Sequence, residues 1–162
     1  MTLPERAISL TGPWWWLMLH LPEPWRKCVE NRSPKFSGKN FRGPIWVHAA
    51  KSGDRHYYHR AIQFAVHAGV PTELIDRCPG FDEMPRGGVV GRFTITGMLS
   101  PPEQVTLDTS DGAQRVNRWR MPGCIGLVTT EAQAVPFTPC AGALGIWRVP
   151  AAVLEQLARV AT

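Results

Sequence analysis

The sequence predicts an α+β protein, a small mixed β-barrel with flanking helices in a single domain over residues 1–162. Three observations predict it. Apolar residues alternate or run together over short stretches at 6–11, 44–50 and 87–99, which have the period and length of β-strands. Two other stretches, 55–68 and the segment from Pro150 onward, repeat apolar residues at helical spacing. Gly91 and Gly97 interrupt the longest strand at places where bulges or bends can close a sheet into a small barrel. A chain of 162 residues that is 44% hydrophobic and 19% charged has the composition of a soluble globular protein and can bury one core.

Taken in order, residues 6–11 form the first strand. Thr11 is placed to cap the helix that follows, with Pro13 in its first turn. Trp14, Leu17, Met18 and Leu21 share one side of that helix, and Trp15 and Trp16 read as core or rim packing. Pro22 and Pro24 then end it. In the next stretch, strand alternation puts Cys28, Glu30 and Arg32 on one face and Lys27, Val29 and Asn31 on the other. A connection rich in Ser, Lys, Asn, Arg and Gly leads to the strand 44–50, apolar nearly throughout and therefore central. Ser52, Gly53 and Asp54 supply a turn and cap for the helix 55–68, and Gly69 stops it. Tyr58, Ala61, Ile62 and Ala65 make its buried stripe. His56, His59, Arg60, Gln63 and His67 share the opposite face; with no acidic partner they read as a solvated or RNA-facing stripe.

Residues 72–77 suggest a short helix before a loop. In 87–99, Val89, Phe93, Ile95 and Leu99 share one face and Arg92, Thr94, Thr96 and Met98 the other. The polar stretch 100–113 reads as a loop. Arg115, Arg118 and Arg120 then surround Trp119, a loop that either stacks a base and holds its phosphates or caps the barrel mouth. Strands follow at 124–130, 134–136 and 143–149. Pro150 starts a terminal helix whose Val153, Leu154, Leu157 and Val160 face the barrel.

The formal charge of +5 and pI of about 9.4 favour an anionic partner such as a nucleic acid or nucleotide. The four cysteines include no Cys-x-x-Cys pair and form no secreted framework, so neither structural zinc nor a disulfide scaffold is expected, and no cofactor is called for. No apolar run approaches the length of a membrane span. The reading is a cytoplasmic protein with reduced thiols, monomeric or weakly dimeric, that meets no membrane.

The chain is organised around residues 27–51, KCVENRSPKFSGKNFRGPIWVHAAK, where Lys and Arg cluster around Glu30 and the stretch closes on an apolar strand. Lys27, Glu30 and Arg32 form a Lys-x-x-Glu-x-Arg motif, followed by Arg42-Gly-Pro-Ile-Trp-Val-His-Ala. This resembles the ASCH domain family, small PUA-like β-barrels associated with RNA. Ile8-Ser-Leu-Thr-Gly-Pro-Trp, Gly87-Gly-Val-Val-Gly-Arg-Phe and Pro139-Cys-Ala-Gly-Ala-Leu-Gly-Ile-Trp are similar in the same order. The resemblance covers nearly the whole chain and implies a PUA-like barrel with Trp14 beside a ligand cleft. Trp25 stands where the family pattern has glycine.

The candidate catalytic set is Lys27, Glu30 and His48, and the candidate ligand-binding set is Trp14, Arg32, Arg42, Lys51 and Trp119. A lysine that is buried or held among cations has a lowered pKa, and a nearby carboxylate can accept a proton. Arginine offers a fixed fork to phosphate or carboxylate. Glu30 and Arg32 could equally form an ion pair that braces the barrel. His48 is either a proton shuttle beside Lys27 and Glu30 or a semi-buried histidine holding a backbone carbonyl.

The leading expectation is a module that binds RNA or a modified nucleotide, with DNA possible, in which Trp14 and Trp119 stack on a base. The alternative is a metal-independent ribonuclease using the same cleft, an activity some ASCH proteins have. A third reading, amidohydrolysis of acylated cytidine, ranks last. The members with that activity carry a nucleophilic threonine three residues after the lysine, and here that position is Glu30.

Overall fold

The computed structural model describes residues 2–101 and 115–161. Its elements run β1 (Arg6–Leu10), α1 (Trp14–Leu19), β2 (Val29–Arg32), β3 (Gly43–Ala49), α2 (Arg55–His67), α3 (Thr72–Ile75), β4 (Gly88–Leu99), β5 (Ile125–Pro139), β6 (Ile146–Arg148) and α4 (Ala151–Val160). The mixed α+β class expected from the sequence is what forms. One six-stranded sheet has the order β2-β5-β4-β3-β1-β6. Strands β1 and β3 pair in parallel and the other neighbours antiparallel.

The sheet curls into a half-barrel. Flat, it would hold β2 and β1 about 19 Å apart, four strand spacings. Instead Arg32 Nη2 on β2 donates to Ser9 O on β1 at 2.8 Å. The curvature comes from β4 and β5, whose pairing shifts register between Val89 and Gly91, Arg92 and Thr94, and Ile95 and Gly97. Two of those shifts fall at the glycines the sequence singled out.

At Gly91 a Cβ would lie 2.4 Å from Leu19 Cδ1 and 2.7 Å from Gln133 O, so α1 rests directly on the backbone of β4. A Cβ at Gly97 would meet nothing within 4 Å. Gly91→Ala is therefore expected to lower folding stability by about 1–3 kcal/mol through overpacking, while Gly97→Ala stays within about 1 kcal/mol of the parent. Urea unfolding of the two variants side by side checks this.

Both faces of the central strands are covered. Ile8, Leu10, Leu17, Met18, Ile45, Val47, Phe93, Ile95 and Leu127 build the main core, with Trp15 and Trp16 inside it. Ala7, Trp46, Val89, Val149 and Leu157 form a smaller core on the other face, beneath α4. Neighbouring residues of one strand divide between the two, as period-two alternation requires. On α2, Asp54 accepts from Tyr57 N at 2.7 Å and Gly69 adopts φ +90, the start and stop read from the sequence.

Some details differ. Thr11 does not cap α1; its hydroxyl meets Ser52 Oγ at 3.0 Å, and Pro13 stands at the N-cap. The strands expected at 124–130 and 134–136 are one continuous β5, which bends where Glu131 takes φ 55. Val160 is 41% exposed, and α4 packs instead through Val153, Leu154 and Leu157. The loop expected at 100–113 lies outside the described residues from position 102 onward.

Candidate functional site

Residue 27 precedes β2, and its N–H donates to Leu17 O at 3.1 Å, tying the motif to α1. Lys27 is therefore not bound by the strand's alternation and swings to the side of Glu30. Its ammonium, 2% exposed, donates to Val29 O and lies 3.2 Å from Glu30 Oε2. Glu30 Oε1 accepts from Arg32 Nε at 3.0 Å. One buried carboxylate thus sits between two cations, and Arg32 carries the chain on to β1 through Ser9 O. Burial holds the Lys27 pKa below that of a free lysine, the charge and hydrogen bond of Glu30 opposing.

Lys27 and Glu30 of this chain line a cavity of about 400 Å³, the size of a small-molecule site. Its walls are Trp14, Tyr57 and Phe64, with Asn31, Arg60, Ala61 and Met121 completing the lining. Trp14 Nε1 donates to Tyr57 OH at 2.9 Å, its ring meets Phe64 edge-on at 5.6 Å, and Lys27 Nζ lies 5.3 Å from its centroid. These contacts fix the tryptophan without covering it. Asn31 donates to Trp119 O at 2.7 Å and accepts from Met121 N at 3.0 Å, which fastens the segment 119–121 to β2.

A second cavity, about 550 Å³, lies on the far side of Arg32. There His48, on β3, is 2% exposed and donates from Nε2 to Cys140 O at 2.7 Å. A carbonyl only accepts, so Nε2 carries a proton; Nδ1 lies 3.2 Å from Ser9 Oγ, whose own proton goes to Ala143 O at 2.9 Å. Burial lowers the His48 pKa, the Cys140 bond opposes, and the charge of Lys51 lowers it further.

Comparison with known protein families and with curated proteins yields no match.

Of the residues expected from the sequence, Trp14, Lys27 and Glu30 meet in the first cavity, and Arg32 joins the two cavities. His48 and Lys51 line the second, so His48 does not stand beside Lys27 and Glu30. The reason is register: parallel pairing sets Ser9 opposite His48, with Arg32 on the other side of Ser9. A buried histidine holding a backbone carbonyl is the arrangement found.

Arg42 enters neither cavity. It is exposed and folds back on its own loop, donating to Lys39 O and Phe41 O. Trp119, expected in an exposed basic loop, is fully buried and stacks on Phe64 at 6.2 Å. Its arginines are sequestered. Arg115 pairs with Glu23, Arg118 lies 4.3 Å over the Trp25 ring, and Arg120 donates to Ser100 O.

Sequence reasoning missed Tyr57 and Phe64, and placed Arg60 on a solvated or RNA-facing stripe rather than at this cavity. The signal was present: 57, 60, 61 and 64 recur at i, i+3, i+4 and i+7, one stripe of α2 beside the buried one. Among the described residues, no three His, Cys, Asp or Glu side chains come together to hold a metal, and no helix is long and apolar enough to cross a membrane.

Proposed function

We propose that this chain is a PUA-like domain of the ASCH kind that binds an unpaired base of RNA, or a free or modified nucleotide, in the first cavity, in the cytoplasm. The observation that carries this reading is the pairing of three aromatic side chains with the Lys27–Glu30 pair in one cavity, the pair being held in place by Arg32. Flat apolar walls suit the faces of a heteroaromatic ring, and stacking of this kind contributes about 1–3 kcal/mol per base. The Lys27–Glu30 pair offers a donor and an acceptor to the ring edge. Arg60, exposed at the rim, adds a cation on the side from which a nucleic-acid backbone would approach.

The cleavage reading has less support, because His48, one of its two candidate bases, stands apart from Lys27. Glu30 and Lys27 face one cavity and His48 the other. The test is incubation of the protein with labelled mixed-sequence single-stranded RNA in EDTA, scoring complex and fragments together. Intact RNA in a salt-sensitive complex is expected, weakened at least about tenfold in Trp14→Ala. Fragments that form in EDTA and vanish in Lys27→Ala would replace binding by ribonuclease action at the same cavity. Intact, unbound RNA, together with no binding of any ribonucleotide, would overturn the reading.

A further inference from the structure

The second cavity differs in charge from its neighbours. The first includes Glu30, a third on the α2–α3 side includes Asp76, Asp82 and Glu83, and a fourth beside β5 includes Glu23 and Glu131. The second is lined by Arg32, Lys51, His48, the hydroxyls of Ser9 and Ser52, and the loop 141–145, with no carboxylate. A concave site holding two cations and no acid concentrates anions.

Its donors are placed rather than scattered. Nε and Nη2 of Arg32 are taken by Glu30 and Ser9 O, and Nη1 makes no bond among the described residues while the side chain lines this cavity. Lys51 has no ion pair among the described residues. Its stem lies against Gly87, where a Cβ would stand 2.7 Å from Lys51 Cε and where φ is +78. On the opposite side Gly142 rests on the His48 ring, at 2.3 Å between a would-be Cβ and Cε1. Two glycines thus let a lysine and a loop close around the same space. The amides of Ala141, Gly142 and Ala143 donate no main-chain hydrogen bond among the described residues.

A guanidinium, an ammonium and uncommitted amides are groups that hold phosphate oxygens. We propose that the second cavity is a phosphate subsite, joined through Arg32 to the first. A nucleotide would lay its base against the aromatic wall that Trp14 and Phe64 form together and its phosphate against Arg32 and Lys51. The inference rests on the base-binding reading only for this joint placement; the phosphate site stands on its own lining.

The test titrates the full chain calorimetrically with inorganic phosphate, the four ribonucleosides, their 3′- and 5′-monophosphates, and dinucleoside monophosphates. At least one monophosphate is expected to bind about tenfold or more tighter than its nucleoside, and in Lys51→Ala that margin falls to within about threefold. A margin shared by dinucleoside monophosphates identifies an RNA diester as the group held, and one confined to monophosphates identifies a terminal phosphate. Equal affinity for nucleosides and monophosphates would overturn the phosphate site and leave the base cavity standing. Inorganic phosphate bound in the parent, lost in Lys51→Ala, with no nucleoside bound, would uphold the phosphate site and remove the base cavity. No binding by any probe overturns both.

Discussion

Trp119→Ala is expected to lower folding stability by about 3–5 kcal/mol, the range for emptying a buried aromatic site. The ring is 0% exposed and supports Phe64, one wall of the first cavity. Losing it leaves a void between the 119–121 segment and α2, and Phe64 loses the surface it stacks on. Trp119→Phe should cost much less, because Nε1 is buried with no hydrogen-bond partner in the described structure and phenylalanine removes that unsatisfied donor with little volume. Urea unfolding of the three proteins measures both effects. An alanine variant with parental stability that no longer binds nucleotide would instead return Trp119 to the role its sequence context suggests, an exposed ring stacked on a base.

That context explains why this residue was misread. Arg-Val-Asn-Arg-Trp-Arg has the composition of a nucleic-acid loop, and nothing within six residues reveals that Glu23, Trp25 and Ser100 take up the arginines. Such partners lie 20 to 93 positions away along the chain. Features set by local rules were legible: the alternation of β1, the Asp54 cap and Gly69 stop of α2, and the glycines at the bends of β4. The Glu30–Arg32 contact was legible too, since two residues of one strand separated by one position share a face. Lys27 was assigned to the wrong face because the alternation was carried two residues ahead of Val29, where β2 begins. The split between His48 and Glu30 depends on the parallel β1–β3 register, which no local pattern specifies.

Glu30→Gln is the other substitution with a large expected effect, and it tests the charge chain itself. The carboxylate meets Lys27 and Arg32 together. Arg32 keeps some contact with solvent, at 21% of its side-chain surface, but Lys27 has only 1%. Removing the negative charge leaves a buried ammonium uncompensated, a change that typically costs about 3–5 kcal/mol. The pH dependence has a defined sign. Burial already lowers the Lys27 pKa in the folded protein, so the folded state binds fewer protons than the unfolded one below the usual lysine range. Stability from this residue therefore rises with pH from the lowered folded pKa toward 10.5 and is lost as pH falls. Without Glu30, which raises that pKa, the folded value drops further and the rise becomes steeper. Urea midpoints at pH 6, 8 and 9.5 should show Glu30→Gln recovering toward the parent as the lysine gives up its proton. Lys27→Met combined with Glu30→Gln should recover most of the loss at every pH, because neither charge is then buried. A single Glu30→Gln variant whose midpoint matches the parent at all three pH values would mean that Lys27 is neutral in the folded protein. The first cavity would then present its ligand with an amine beside the Glu30 carboxylate, and recognition there would rest on hydrogen bonds from Lys27 rather than on its charge.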